Sequence, residues 1–391
     1  MLVGTLTSAG DFHCCSFVLI FINSFSIGPT LRAERCKIPA QQALAVGGKK
    51  QKFKMKKIRA LIFIIFSTFF CAFGQTGTTL DPKPLGKLID IGGWKLHLYE
   101  QGHRFKGPSV ILEAGAGDFS FVWSLVQPKV AQFARVYSYD RAGAAWSDIG
   151  PSPHTMAQSV YDLHTLLNKA NVPRPYILVG HSLGGLLVRM FAEKYPQEVA
   201  GLILVDGGTE TGKFFINGKR VLIPEDAKGL PIPEPKTKAT AQDNQITEEG
   251  QKAIKTFMEQ VGLPAKEVDP PYDRLPRDIQ QLQLWASGQI KHYAVSNDYN
   301  IEELAKAFYQ RTNHPYELGN MPVTVITRGK IDSTDLKYED ERKKAQRDLL
   351  LLSHNSKQIV ATDSGHHIHL EDPDLIVGAI KEMVALVKHK Q

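Results

Sequence analysis

Between residues 85 and 206 the chain alternates short apolar runs with longer stretches whose apolar residues recur every three or four positions. The first pattern predicts buried strands and the second predicts amphipathic helices. Leu88 to Ile91 and Lys95 to Glu100, split by Gly92-Gly93, predict a β-hairpin. Ser109 to Glu113, Arg135 to Tyr139, Tyr176 to Val179 and Leu202 to Val205 predict further strands. Phe121 to Phe133, despite Pro128, and Met156 to Ala170 predict helices. Another helix is expected from Gly185 towards Pro196. Strands that alternate with helices argue for an α/β protein whose mostly parallel sheet is covered on both faces.

The alternation stops at Gly207 and resumes near residue 321. The intervening stretch is polar and Pro-rich, with loop character at Leu222 to Asp243. Helical patterns appear at Glu248 to Val261, Pro276 to Ala286 and Ile301 to Arg311. An insertion of this length that keeps helical periodicity reads as a lid. Val323 to Thr327 and Gln358 to Ala361 then predict the last strands, and Leu336 to Leu352 and Pro373 to Lys388 the last helices.

The front of the chain changes the composition argument. Met55 to Arg59 is a short basic run, Ala60 to Cys71 is almost wholly apolar, and Ala72 and Gly74 put small residues before a possible cut at Gln75. Residues 55 to 74 therefore read as a signal peptide, too short for a membrane span. Residues 1 to 54 read as an extension ahead of the true start at Met55, and residues 75 to 84 as a flexible lead-in. The first 74 residues hold ten Lys or Arg against two Asp or Glu, so the rest has 37 basic and 38 acidic residues, a net of −1. The whole-chain charge of +7 gives no argument for nucleic acid. All four cysteines, at 14, 15, 36 and 71, lie in the same front section. The remaining chain has no disulfide framework or thiol nucleophile. Export to a bacterial periplasm, or secretion, is the expected location, with no stable membrane anchor once the leader is cut.

The chemistry centres on Gly180-His181-Ser182-Leu183-Gly184, which joins the Tyr176 strand to a helix without a gap. A serine at so sharp a turn needs small neighbours two residues to either side. The helix start behind it aims backbone N–H groups at a developing oxyanion. No dinucleotide fingerprint or phosphate loop is readable, because Gly115 and Gly117 lack the third glycine. No cofactor is expected. Three histidines at 366, 367 and 369 invite a metal site. Their spacing, the lack of an acidic or cysteine partner that completes a site, and the elbow's own need for a histidine argue against one.

These pieces resemble the α/β-hydrolase superfamily, in its serine-nucleophile branch. The resemblance runs from about Leu85 to Val387. It rests on the elbow, on Glu113-Ala114-Gly115-Ala116-Gly117, on Tyr139 to Asp148, on Leu202 to Asp206 and on Ser364 to Pro373. It implies an α/β-hydrolase fold with a lid at 207–320 between core segments 85–206 and 321–391. It implies Ser182 as nucleophile and His366, directly after Gly365, as its base, with His367 and His369 structural or pocket-lining. The orienting acid is expected at Asp332 in Gly329-Lys330-Ile331-Asp332, with Asp335 and Asp206 as alternatives. The oxyanion donors are expected at the N–H groups of Leu183 and Ala116. Relatives often carry His-Gly where this chain has Ala114-Gly115, so the support of that loop must differ. Asp140-Arg141 is expected to be structural, although Arg141 could bind a substrate carboxylate. The implied activity is cleavage of a small ester, amide or peptide-like substrate through an acyl-enzyme. A perhydrolase or acyltransferase using the same triad, or a non-catalytic binding protein, are the rival readings.

Overall fold

In the computed structural model the described residues are 81–210, 214–216, 219–221, 229, 231–295, 297, 299–331, 336 and 338–388. The expected extension, signal peptide and most of the lead-in lie outside them. The strands are β1 (Lys87–Asp90), β2 (Lys95–Gln101), β3 (Ser109–Glu113), β4 (Arg135–Tyr139), β5 (Tyr176–His181), β6 (Val199–Val205), β7 (Phe214–Ile216), β8 (Lys219–Val221), β9 (Val323–Arg328) and β10 (Ser356–Ala361). The helices are α1 (Gln127–Val130), α2 (Met156–Lys169), α3 (Leu183–Lys194), α4 (Glu248–Gln260), α5 (Arg277–Ser287), α6 (Ile290–Ala294), α7 (Asn300–Asn313), α8 (Glu339–Asp348), α9 (Ile368–Glu371) and α10 (Pro373–Lys388).

Eight strands form one sheet in the order β1-β2-β4-β3-β5-β6-β9-β10. The β1–β2 and β2–β4 pairs are antiparallel and the remaining pairs are parallel. Strand side chains alternate between faces, and here both faces are dry. On one face Leu178, Leu202 and Leu204 pack with Leu163 and Leu166 of α2 and Phe191 of α3. On the other, Ile177, Val179 and Ile203 pack with Trp123, Val130 and Ile380. The chain leaves β3 towards β4 and leaves β5 towards β6, on the opposite side. The crevice between the carboxyl ends of β3 and β5 is thus the point where connections diverge, the usual place for a site in such sheets.

Two expected helices differ in detail. The 121–133 stretch is a 3-10 turn at Ser120–Leu125 followed by α1. Pro128 carries no N–H to donate, which is tolerated in the first turn of a new helix but not inside a continuous one. The 336–352 stretch is helical only from Glu339 and tightens to a 3-10 turn at Leu349–Leu352. The short helices α6 and α9 were not foreseen, because four or five residues show no measurable period.

The insertion between β6 and β9 carries a β7–β8 hairpin and helices α4 to α7. Leu275, Ile279 and Ala286 pack with Phe119, Phe121, Trp146 and Leu370 of the core. A buried charge group fixes its start: Glu210 takes Arg189 of α3 and Arg311 of α7, the latter at 3.1 Å. Further along, Lys236 N donates to Gln158 Oε1 at 2.7 Å, and Ala239 N donates to Gly92 O at 2.8 Å.

Two expected outcomes follow from buried acids. Removing one partner of a buried pair strands the other charge, so Glu210→Ala should lower stability by about 3–5 kcal/mol, read as a fall in the urea midpoint. Asp162 of α2 is buried, and burial, opposed by the Gln158 hydrogen bond, pushes its carboxyl from 3.8 up to about 7. The folded chain therefore keeps a proton that the unfolded chain releases. This contribution is full below about pH 4 and is lost as pH rises through about 7. Asp162→Asn should flatten that decline in thermal midpoint between the two values, and an unchanged pH profile would refute the assignment.

Candidate active site

Ser182 joins β5 to α3 with φ 52° and ψ −121°, a backbone conformation unfavourable for a side-chain-bearing residue. Three backbone bonds hold it there. Ser182 N donates to Val205 O at 3.1 Å, and Ser182 O accepts from Gly185 N at 2.9 Å and Gly208 N at 2.6 Å. The two glycines expected from the sequence have a measurable reason. A Cβ on Gly180 would stand 2.3 Å from Gly184 O, and one on Gly184 would stand 2.5 Å from Glu113 O. Neither approach is possible without moving backbone.

His366 lies in the loop between β10 and α9, and His181 Nε2 bonds its carbonyl oxygen at 2.9 Å. Its Nδ1 lies 2.6 Å from Asp206 Oδ2. The sequence reading put Asp332 in this position; the carboxylate that the structure places there is Asp206, the third candidate. Asp332 and Asp335 lie outside the described residues. The physical reason for Asp206 is the register of the sheet. His181 of β5 pairs with Val205 of β6, so Ser182 and Asp206 leave neighbouring strands side by side. The signal available in the sequence was the apolar run Leu202 to Val205 ending in Asp206-Gly207-Gly208, on the strand directly after the elbow helix.

Asp206 is 5% exposed, and burial alone would raise its pKa. The His366 hydrogen bond and the charges of His366, Arg328 and Arg342 outweigh this and hold it at about 2. The Arg328 and Arg342 guanidinium nitrogens lie 3.6 and 3.4 Å from its carboxylate. Burial lowers the His366 pKa, Asp206 opposes that, and His181 and Arg328 lower it further. The carboxylate can only accept, so Nδ1 of neutral His366 carries the proton and Nε2 keeps its lone pair, the form a general base requires.

The loop after β3 carries the second expected oxyanion donor. Arg141 Nη1 bonds Glu113 Oε1 at 2.5 Å and Ala114 O at 2.7 Å, and its Nη2 bonds Gly115 O. Tyr139 bonds the other oxygen of Glu113. Asp140 fixes the far end of the loop, accepting from Ser120 N at 2.6 Å and from His97 Nδ1 at 2.8 Å. A trans peptide points its C=O and N–H in opposite directions. With Gly115 O turned to Arg141, the Ala116 N–H faces the other way. Leu183 N–H belongs to the first residue of α3, whose leading N–H groups have no partner within the helix. Arg141 is thus a loop brace paired with Glu113, which answers how the loop is supported without a histidine.

Comparison with known proteins identifies the fold. A family described as the alpha/beta hydrolase fold matches residues 108–373. An AB hydrolase superfamily protein of Gibberella zeae is 26% identical over 309 residues, covering 72% of this chain and 88% of that protein. A shorter stretch of 129 residues is 35% identical to the probable transporter efuK of Hormonema carpetanum, covering 32% of this chain but 18% of that protein. Among solved structures, a malate-bound thermophilic esterase from Thermogutta terrifontis gives a TM-score of 0.52 at 19% identity, over 77% of this chain and 99% of its own. The enol-lactonase from Burkholderia xenovorans LB400 gives 0.51 at 18% identity, over 76% and 100%. At such identities these structures speak for the fold.

The Arg141 brace makes a testable claim. Arg141→Met frees the carbonyls of Ala114 and Gly115, so the second-order rate of Ser182 phosphonylation by a fluorophosphonate should fall by roughly 10²-fold, the loss seen when one oxyanion donor goes. An unchanged rate in a folded variant would remove Arg141 from that role.

Proposed function

Since the chain belongs to the α/β-hydrolase family, we propose that it is a serine hydrolase that cleaves a small ester, amide or peptide-like substrate through an acyl-enzyme. The observation that carries this reading is the 2.6 Å pair of His366 and Asp206 at the strand ends beside the strained Ser182. His366 Nε2 takes the hydroxyl proton as Ser182 Oγ attacks the substrate carbonyl. The Leu183 and Ala116 N–H groups receive the oxyanion. Asp206 holds the imidazole in its working tautomer and steadies the imidazolium that forms. The protonated His366 then gives its proton to the leaving alcohol or amine. In the second half His366 takes a proton from water as its oxygen attacks the acyl carbonyl, and then returns that proton to Ser182 Oγ as the bond from the acyl carbon to Oγ breaks, releasing the acid and the free serine.

A serine at 182 supports acyl transfer rather than an aspartyl-ester mechanism. The insertion acts as the lid. Its Trp285 lies tilted 5.2 Å from Trp146, and its His292 lies 4.9 Å from Phe119, so the cover over the oxyanion loop is aromatic. That lining suits an apolar acyl or leaving group. The substrate is a small molecule, and nucleic acid plays no part. We further propose export through the signal peptide at 55–74, with the mature chain beginning near Gln75 and no lasting membrane anchor.

The test is fluorophosphonate labelling of the full chain with the labelled peptide mapped. Label is expected on Ser182 and is expected to vanish in Ser182→Ala and His366→Ala. Asp206→Asn should slow labelling by about 10³–10⁴-fold, whereas Asp332→Asn should leave it unchanged. The reverse pattern for the two aspartates would return the acid to the loop after β9. No label on folded protein would overturn the enzyme reading in favour of a binding protein.

A further inference from the structure

Three side chains from three separate segments meet next to Ser182. Asp118 lies in the loop after β3, His181 directly precedes Ser182, and His369 lies in α9. One ligating atom of each falls within 4.8 Å of the other two, and all three residues are buried. Sequence spacing could not reveal this group. One ground against a metal among the histidines at 366, 367 and 369 was the missing acidic partner; the fold joins only His369 of these to His181 and brings Asp118 from about 250 residues away to supply the acid.

The hydrogen bonds fix what each nitrogen can do. His181 Nε2 faces the carbonyl oxygen of His366 at 2.9 Å. A carbonyl can only accept, so Nε2 carries a proton, and in the neutral ring Nδ1 then bears a lone pair. That Nδ1 has no hydrogen-bond partner among the described residues and stands 3.7 Å from Asp118 Oδ2. Facing a carboxylate oxygen, that nitrogen takes a positive centre, either a proton of its own or an ion held between the two groups. In His369, which is 0% exposed, neither ring nitrogen has a hydrogen-bond partner among the described residues. Buried polar side chains nearly always have at least one. The backbone agrees: a Cβ on Gly115 would stand 2.9 Å from His181 Nδ1 and 3.0 Å from Asp118 Oδ2. Glycine there keeps side-chain atoms out of the space before both groups.

We propose that Asp118, His181 and His369 form a binding site for one divalent transition-metal ion of the zinc class. Ligands about 2.0–2.2 Å from a tetrahedral ion stand roughly 3.3–3.6 Å apart. The 3.7 Å between His181 Nδ1 and Asp118 Oδ2 is close to that spacing. Two imidazoles with one carboxylate select zinc-like ions over calcium or magnesium, which take oxygen ligands. The surroundings are those of metal ligands. The distal N–H of His181 donates to a backbone carbonyl, as it does in most metal-bound histidines. Tyr272 Oη donates to the other oxygen of Asp118 at 2.6 Å and so orients the carboxylate. The ion ties the oxyanion loop, the elbow and the base loop to one point. With three protein ligands and a water in the fourth position it clamps these three segments together, and it does not depend on the substrate class proposed above.

The experiment strips the full chain with a chelator, titrates it with Co²⁺ as a spectroscopic probe, and measures zinc retained after gel filtration by mass spectrometry. The expected result is one tightly held ion per chain and cobalt absorption of four-coordinate intensity. The ion should also raise the thermal midpoint. His369→Gln and Asp118→Asn should lose both the stoichiometric ion and the cobalt bands. Should His369→Gln fail to fold, Asp118→Asn keeps the carboxylate's shape and carries the comparison. A folded wild-type chain that retains no stoichiometric zinc overturns the site. So does equal retention by wild type and variants, which would mark adventitious surface binding.

Discussion

The pairing of β5 with β6 is the constraint on which the rest of the site depends. His181 opposite Val205 puts the carbonyl of Val205 on the amide of Ser182. That bond, with those from Gly185 and Gly208 to the Ser182 carbonyl, holds the serine at a positive φ that costs about 1–3 kcal/mol in isolation. The next residue along β6 is Asp206, itself at φ 41° and bonded through its amide to Ile326 of β9. One register therefore sets the strained serine and its acid together. A slip of one residue would turn both inward-facing rows over and remove the acid from His366. Burial of both faces forbids such a slip.

Around this frame the buried carboxylates serve as alignment points. Glu113 and Arg141 orient the carbonyls of the loop after β3, Asp140 pins its far end, and Asp206 holds the His366 ring. Each takes up a charged or backbone partner that would otherwise be left unsatisfied in a dry interior. Such pairs contribute little net stability compared with apolar packing of equal volume. Their value lies in geometry: each can be satisfied in only one arrangement of its loop.

Much of this was legible in the sequence because the sheet is dry on both sides. Apolar runs such as Ser109 to Glu113 and Arg135 to Tyr139 fall where the strands do, since a buried strand tolerates few polar residues. The closing helix Pro373–Lys388 is bounded by its own proline. The elbow was readable because the turn itself demands small neighbours, and the Gly180 contact with Gly184 O is local in sequence. The acid was not. Asp206 and Asp332 both follow apolar strands at loop starts, and local pattern carries no information on which strand lies beside β5. That is decided by pairing across the sheet. Arg141 was read as a loop salt bridge, but its hold on two carbonyls depends on distances between β3 and β4. The grouping of Asp118 with His181 and His369 was invisible for the same reason.

Tyr272 shows how the insertion and the catalytic loops form one mechanical unit. Its hydroxyl lies 2.6 Å from Asp118 in the oxyanion loop and 3.2 Å from His367 Nε2 in the base loop. Burial, with the charges of His366 and His181, brings the pKa of His367 down to about 3, so near neutrality that ring is uncharged and this contact is an ordinary hydrogen bond. Meanwhile Glu210 anchors the start of the insertion to α3 through a pair whose separation in a dry interior is costly. The two anchors differ in strength by their chemistry. The insertion is thus held to α3 by a buried ion pair and to the loops that carry Asp118 and His367 by one tyrosine hydroxyl.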